Sequence, residues 1–260
     1  MRLEGKVAVI TGVGAGIGRA IAAAYAKEGA MVVGVEFREG LLETLVEETK
    51  DFPGEITPLY GDLMKEETID KMFDLALEKY GKLDIYVNNA AIMDNFAPVQ
   101  DVTDESWDRI ILMNLTVPFK ACRKAVKIFS ENENGGNIVI IGATGGCFRG
   151  GAAGAAYTAS KGGLLQLMKN IAVSSFGTKI RCNAVCPGGF ATDIMKVASG
   201  FYPEGMHPEG KTMFGKLNAA LPGVGYPDYL APAAVFIASD EAHFINGAYL
   251  FVDGGWNAVM

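Results

Sequence analysis

Short runs rich in Val and Ile recur seven times along this chain, at 6–11, 31–36, 56–60, 83–87, 138–141, 180–185 and 248–252, and longer stretches lie between them. No other feature restricts the fold as much. Brief, nearly continuous apolar runs without polar alternation are what strands covered on both faces require. Segments with helical periodicity at 17–28, 66–80, 106–130, 155–176 and 229–238 supply the cover. Strand and helix alternating in this way imply right-handed βαβ crossovers. The expected architecture is therefore α/β: a doubly wound parallel sheet of about seven strands with helices on both faces. No Pro/Gly/Ser-rich linker, repeat or low-complexity tract divides the chain, so residues 1–260 are read as one domain. The exception to the alternation is 189–227, a weakly periodic insertion of Pro, Gly, Met and aromatic residues. Insertions of that length usually serve a site.

Charge narrows the function. With 30 acidic against 23 basic side chains, a formal net charge of −7 and no Lys/Arg-rich run, attraction to nucleic acid or to an anionic membrane has no electrostatic basis. No apolar run approaches the ~18 residues that span a bilayer. The opening MRLEGKVAVITG enters a strand pattern at once, without the charged, apolar and cleavage regions of a leader, so a cytoplasmic location is expected. Cys122, Cys147, Cys182 and Cys186 form no CxxC, and His207 and His243 stand far from them, so no metal site is expected. On a strand, Cys182 and Cys186 would lie ~13 Å apart, too far for a disulfide, and the thiols read as reduced core residues. Neither histidine sits in a nucleophile motif, which turns attention to other chemistry.

After the first strand comes Thr11-Gly12-Val13-Gly14-Ala15-Gly16-Ile17-Gly18, leading into a helix. A dinucleotide pyrophosphate must approach loop amides and a helix N-terminus closely, and side chains would block it. Glycine-rich turns also join strands to helices for steric reasons alone, but this one lies in the first βαβ unit, and the second strand ends at Glu36. A carboxylate there accepts ribose hydroxyls and repels a 2′-phosphate, which favours NAD over NADP. Arg38 and Arg19 are the nearby cations that weigh the other way, and a solvated strand end is the plain alternative for Glu36.

Tyr157-Thr158-Ala159-Ser160-Lys161 places a phenol and an amine on one helix face. An adjacent ammonium is expected to lower the phenol pKa, making it a usable general acid or base.

With these residues the chain resembles the short-chain dehydrogenase/reductase family over essentially its full length. The motifs follow in order: Thr11 to Gly18, Gly61-Asp62-Leu63, Asn88-Asn89-Ala90-Ala91, Asn114, Tyr157 to Lys161, Pro187-Gly188 with Thr192, and Val252-Asp253-Gly254-Gly255. The resemblance implies a single Rossmann-like domain that transfers a hydride between a carbinol carbon and a nicotinamide cofactor. It also implies that Tyr157 exchanges the hydroxyl proton, Lys161 binds the nicotinamide ribose and Asn114 supports a proton-relaying water. Asp62 would contact adenine, Asn88 would brace the sheet, and Thr192 would meet the carboxamide or a phosphate. Leu63, Asn89, Ala90, Pro187, Gly188 and Phe190 would complete the cofactor site. The family's serine, thirteen residues before the tyrosine, corresponds to Thr144, which keeps a hydroxyl; its alternative reading is a strand-end threonine bonded to backbone. Ala91 stands where the family commonly has glycine. A homotetramer formed partly through the segments at 106–130 and 155–176 is implied as well.

The insertion at 189–227 is expected to be the substrate lid. Phe190, Met195, Phe201, Tyr202, Met206, His207, Met213, Phe214 and Leu217 give it an apolar, adaptable surface, and Gly200, Gly205, Gly210 and Gly215 would let it close. A bulky secondary alcohol or ketone such as a hydroxysteroid suits that surface, though the cluster is equally ordinary packing. Two alternatives stand beside it. One is reduction of a 3-oxoacyl thioester on acyl carrier protein, disfavoured by net charge; Arg123, Lys124 and Lys127 form the nearest basic cluster. The other is a dinucleotide-binding sensor or scaffold without turnover.

Overall fold

The computed structural model describes residues 1–147, 153–218 and 223–258. Its centre is a seven-stranded, all-parallel sheet: β1 (Val7–Thr11), β2 (Met31–Glu36), β3 (Glu55–Tyr60), β4 (Ile85–Asn88), β5 (Gly136–Ile141), β6 (Ile180–Pro187) and β7 (Tyr249–Val252). The spatial order is β3-β2-β1-β4-β5-β6-β7, the doubly wound arrangement expected. Every residue of β1 and β4 is buried, as strands covered on both sides must be. Pro58, which cannot donate to a ladder, lies in β3 at the sheet edge, where that loss is tolerated.

Alternate side chains divide the core. Val7 and Val9 point into one layer with Met72 and Phe73 of α3 (Glu66–Tyr80), Ala121 and Phe129 of α5 (Val117–Glu131), and Leu164 and Met168 of α7 (Ala155–Ser174). Ala8 and Ile10 point into the other, against Ile21 and Tyr25 of α1 (Gly16–Lys27), Leu42 and Leu45 of α2 (Leu41–Thr49), and Leu230 and Val235 of α10 (Pro227–Ala238). Cys122, Cys182 and Cys186 are buried and form no disulfide, and burial pushes Cys122 up to about 12. The side chain of Cys147 lies outside the described residues.

The segment expected as one helix at 106–130 is interrupted. α4 (Asp104–Ile111), capped by the Thr103 hydroxyl, runs into a π-helical turn at Leu112–Thr116 before α5 begins. Pro118 has no N–H to give the carbonyl of Asn114 four residues earlier, while the Val117 N–H reaches five back to Leu112. The chain widens at Asn114.

Beyond β6, the insertion forms α8 (Ile194–Ser199) and α9 (Pro208–Asn218). A short turn of helix, α6 (Thr144–Cys147), precedes α7. Among the described residues, no helix is long and apolar enough to cross a membrane, and no group of three or more His, Cys, Asp and Glu side chains comes together to hold a metal.

Candidate active site

β1 and β4 are neighbours, and the chain leaves them toward opposite flanks of the sheet. The loops at their carboxyl ends therefore part, and a crevice opens between them. A cavity of about 370 Å³ lies there. Its wall takes Gly12, Ala15, Gly16, Ile17 and Gly18 from the loop after β1, Glu36 from the end of β2, and Asp62 and Leu63 from beyond β3. Asn89 and Ala90 follow β4, Pro187 and Thr192 come from β6 and beyond, and Tyr157 and Lys161 come from α7. Each lies on a separate part of the sequence, and the sheet's common polarity brings them to one edge.

The cradle fits a dinucleotide. Ala15, at the N-cap of α1, offers no side-chain acceptor to the first-turn amides. Those donors and the positive dipole end are left facing the cavity, as a pyrophosphate requires. A Cβ on Gly14 would stand 2.4 Å from Glu36 Oε2, so glycine is obligatory there for the carboxylate to accept the Gly14 N–H at 2.9 Å. Glu36 Oε1 also accepts from the Phe37 and Arg38 amides and from Arg38 Nε, the last at 3.0 Å. Burial alone would raise this carboxyl, but the Arg38 donors and the Gly14 amide outweigh it and hold the group below the usual range. Arg19 is likewise engaged, with the Gly14 and Leu41 carbonyls, Thr44 and Glu48. Asp62 Oδ1 accepts the Met64 amide, a turn contact, and Asn89 Nδ2 donates to the Thr11 and Gly12 carbonyls. Asn88 accepts the Tyr86 hydroxyl, and its buried Nδ2 has no partner.

Tyr157 is buried in the cavity wall, with the Lys161 Nζ 5.7 Å from its ring centroid. The amine donates to the Ile141 carbonyl at 3.0 Å. Burial brings Lys161 down to about 8. The phenol departs from expectation: burial first, and then the charge of Asp94, push its pKa up. The ammonium lies over the ring and is bonded to a carbonyl, and the low-dielectric surroundings outweigh it. Asn114, fully buried in the widened turn, accepts the Ile92 N–H and donates to the Ile92 carbonyl and to Ser160 Oγ at 3.3 Å. Ser160 Oγ donates to the Tyr157 carbonyl, so Asn114 is tied to α7.

Gly14 and Asn114 stand behind the cavity wall, and three other expected residues stand elsewhere. The Thr144 hydroxyl donates to the Pro187 carbonyl at 3.0 Å and lies 3.4 Å from Asp253 Oδ2, the backbone-bonded placement of its alternative reading. The side chain of this turn that packs against the apolar cluster around Tyr157 is Ala143. Phe190 turns away from the cavity, its ring against Gly225. Gly188 is backed by Asp253 and bonded to the Val252 carbonyl.

Two further side chains at the site were not anticipated. Asp94, 3% exposed, accepts the amides of Phe96, Gly154 and Tyr157 at 3.1, 3.0 and 2.9 Å. A Cβ on Gly154 would meet its carboxylate at 2.6 Å. Arg109 of α4 lines the cavity with its guanidinium 4.8 Å from the Phe201 ring centroid and 5.1 Å from that of Tyr202. The sole signal for Asp94 is an acid in the otherwise apolar Ile92-Met93-Asp94; Arg109 has none.

The end of the cavity near Tyr157 is apolar. Ile92, Phe96, Ile110 and Tyr157 form a cluster joined by Met64, Met93, Met113, Met195 and Met206. From the insertion, Ile194, Val197 and Phe201 reach the cavity wall, while Phe214 packs edge-on against Phe96 at 5.0 Å. His207 donates its amide to the Asn95 carbonyl. The side chain of Leu217 lies outside the described residues.

Comparison with known proteins agrees with this geometry. A family model described as enoyl-(acyl carrier protein) reductase matches residues 12–257. A 3beta-hydroxysteroid dehydrogenase of Eggerthella lenta is 36% identical over 259 residues, covering 98% of this chain and 96% of that one. A short-chain dehydrogenase/reductase of Penicillium canescens is 39% identical over 266 positions, covering 99% and 98%. Among solved structures, a 3-ketoacyl-(acyl-carrier-protein) reductase from Brucella melitensis, complexed with NADH, superposes with a TM-score of 0.84 at 33% identity, covering 98% of this chain and 99% of that one.

Proposed function

Because this chain belongs to the short-chain dehydrogenase/reductase family, whose members act on alcohol and ketone groups with a nicotinamide cofactor, we propose that it is an NAD-dependent enzyme interconverting a bulky, weakly polar secondary alcohol and its ketone, with hydroxysteroids as the leading class. The observation that carries the substrate class is the methionine-rich apolar cluster continuous with Tyr157. Unbranched thioethers adapt to a large rigid frame where branched side chains would not. The 36% identity to a 3beta-hydroxysteroid dehydrogenase supports the same reading.

The bound cofactor supplies the hydride. Tyr157 holds the proton that the carbonyl oxygen takes on reduction, and takes it back on oxidation. Lys161, two per cent exposed, places positive charge beside the phenol and stabilises the developing negative charge. Asn114 fixes the first turns of α7 through Ser160 and the 92 segment through two bonds to Ile92. Gly12, Gly16 and the α1 amides would hold the pyrophosphate, and Glu36 the adenosine ribose. For NAD, the support is that both nearby cations are engaged: Arg38 with Glu36 itself and Arg19 with Glu48. A 2′-phosphate would meet a carboxylate first.

The likeness to a 3-ketoacyl-(acyl-carrier-protein) reductase keeps acyl-thioester reduction as a second reading. Against it, Lys124, the middle member of the basic cluster an acidic carrier would need, is already paired with Asp70 and Asp74. Exposed Phe119 on α5 and exposed Val173 on α7 support association through those helices; sedimentation equilibrium tests it.

The test is NAD reduction followed at 340 nm over a panel of hydroxysteroids, alicyclic alcohols and short polyols, with Tyr157→Phe in parallel. Hydroxysteroid turnover lost by at least ~10²-fold in the variant is expected. Ready oxidation of polyols with none of any hydroxysteroid would remove the substrate class. Unchanged turnover in Tyr157→Phe would remove the mechanism, and no turnover of any alcohol would favour a binding protein.

A further inference from the structure

We propose that the substrate of this cavity carries an anionic group, in the simplest case a carboxylate, and that Arg109 receives it. The inference rests on the alcohol/ketone reading of the same site and names a chemical feature that reading leaves open.

Arg109 sits in the last turn of α4 and lines the same cavity as Tyr157. Its side chain is 19% exposed, and its Nε is buried with no hydrogen-bond partner. A buried donor of a charged group left unmatched is costly, and such groups in folded proteins usually meet a partner. The nearest carboxylate does not serve. Glu105 reaches only Nη1, at 3.5 Å, from a position 90% exposed, where water screens the pair.

The other cations among the described lining residues are engaged: Arg38 with Glu36, and Lys161 with the Ile141 carbonyl. Arg109 is different. Phe201 and Tyr202 lie 4.8 and 5.1 Å from its guanidinium carbon, and Tyr202 is itself fixed by a 2.6 Å bond to Ser106 of the same helix. Aromatic rings take up a guanidinium through its faces and leave the in-plane N–H edge for an acceptor. That edge matches the two oxygens of a carboxylate. The neighbouring wall is apolar, with Met113, Val197 and Phe201. An amphipathic ligand, apolar in its body and anionic at one end, satisfies both parts of this surface.

The probes are adamantane-1-carboxylate and adamantane-1-carboxamide, bulky alicyclic molecules that differ in charge and have no alcohol to oxidise. Their binding to the NAD-saturated enzyme is measured by titration calorimetry at low and at 0.5 M salt. The wild-type protein is expected to prefer the carboxylate by about tenfold or more, with the preference shrinking in salt. Arg109→Gln abolishes the preference, Arg109→Lys keeps part of it, and NAD affinity is unchanged in both. Equal binding of the two probes by the wild type, including no binding of either, overturns the proposal. So does a preference that survives in Arg109→Gln, or a loss of NAD affinity without a carboxylate preference. The alcohol panel is a separate readout: if no alcohol reduces NAD while the carboxylate preference holds, the reaction reading has failed and the anion site has not.

Discussion

The carboxylate of Asp94 accepts the backbone N–H of Tyr157 at 2.9 Å, so the residue proposed to handle the proton is tethered through its own amide to a buried negative charge. Asp94 does two things at once. It satisfies the Gly154 and Tyr157 amides at the start of α7, and its charge opposes ionisation of the phenol.

Asp94→Asn keeps a carbonyl for some of these amides and removes the charge. Tyr157 should then lose its proton more readily, so the pH at which alcohol oxidation reaches half its plateau moves to lower values. Stability should fall by about 1–3 kcal/mol, because an amide nitrogen now faces one of the backbone donors. pH–rate profiles of kcat/KM for parent and variant, with urea unfolding alongside, check both parts. A profile that stays in place would reduce Asp94 to a helix cap.

Thr144 should prove structural. Its hydroxyl serves the Pro187 carbonyl, so Thr144→Val is expected to keep kcat within about threefold while losing about 1 kcal/mol of stability to the unmet carbonyl. The neighbouring Ala143 packs against the Tyr157 cluster and has no donor there. Ala143→Ser should raise kcat several-fold, roughly, by adding a second hydroxyl beside the substrate oxygen. Steady-state kinetics on the three proteins decides it, and collapse of turnover in Thr144→Val would restore the threonine to the reaction.

What was legible in the sequence follows from how local each signal is. The central strands stood out because burial on both faces leaves them largely apolar, while the edge strands β3 and β7 are only partly buried and stood out by their Ile, Leu, Val and aromatic residues, and α3 runs over the expected 66–80. The cavity glycines, Tyr157 and Lys161 were legible for a similar reason: their chemistry needs a fixed spacing within one turn or one helix. The π-turn at Asn114 was not, since Pro118 announces a lost bond without saying whether the helix bends or widens. α2 is nine residues long, too short to stand out by period, and α8 and α9 pack on a site instead of a layer of the core, which leaves their periodicity weak. The orientation of Thr144 and the roles of Asp94 and Arg109 are set by partners dozens of residues away, and spacing carries no trace of that.

Cofactor choice should turn on Glu36. Its carboxylate now holds Arg38 by Nε at 3.0 Å and by Nη2 at 3.2 Å. Removing it in Glu36→Ala deletes the ribose acceptor and frees a guanidinium at the position a 2′-phosphate would occupy. The ratio of kcat/KM for NAD over NADP should fall by at least about tenfold, and Glu36→Ala with Arg38→Ala should bind both cofactors weakly. A ratio unmoved by Glu36→Ala would mean that discrimination lies elsewhere in the site.

Lys161 sets function against stability. Burial holds its amine at about 8, against the ~10.4 of an unfolded lysine. Between those values the unfolded chain carries a proton that the folded protein does not, so this residue makes stability rise with pH across the window. Below about 8 both states are protonated and the folded protein bears the whole desolvation cost. Lys161→Met removes that cost together with the bond to the Ile141 carbonyl. The variant is expected to be more stable than the parent by about 1–3 kcal/mol at pH 7, with the gain shrinking as pH climbs past 8 toward 10.4, while turnover drops by ~10²-fold or more. Urea unfolding at pH 7, 9 and 10, with NAD absent, measures the difference directly. A variant less stable than the parent at pH 7, or a gap that does not close with rising pH, would show that the ammonium is better solvated in the folded protein than its surroundings indicate.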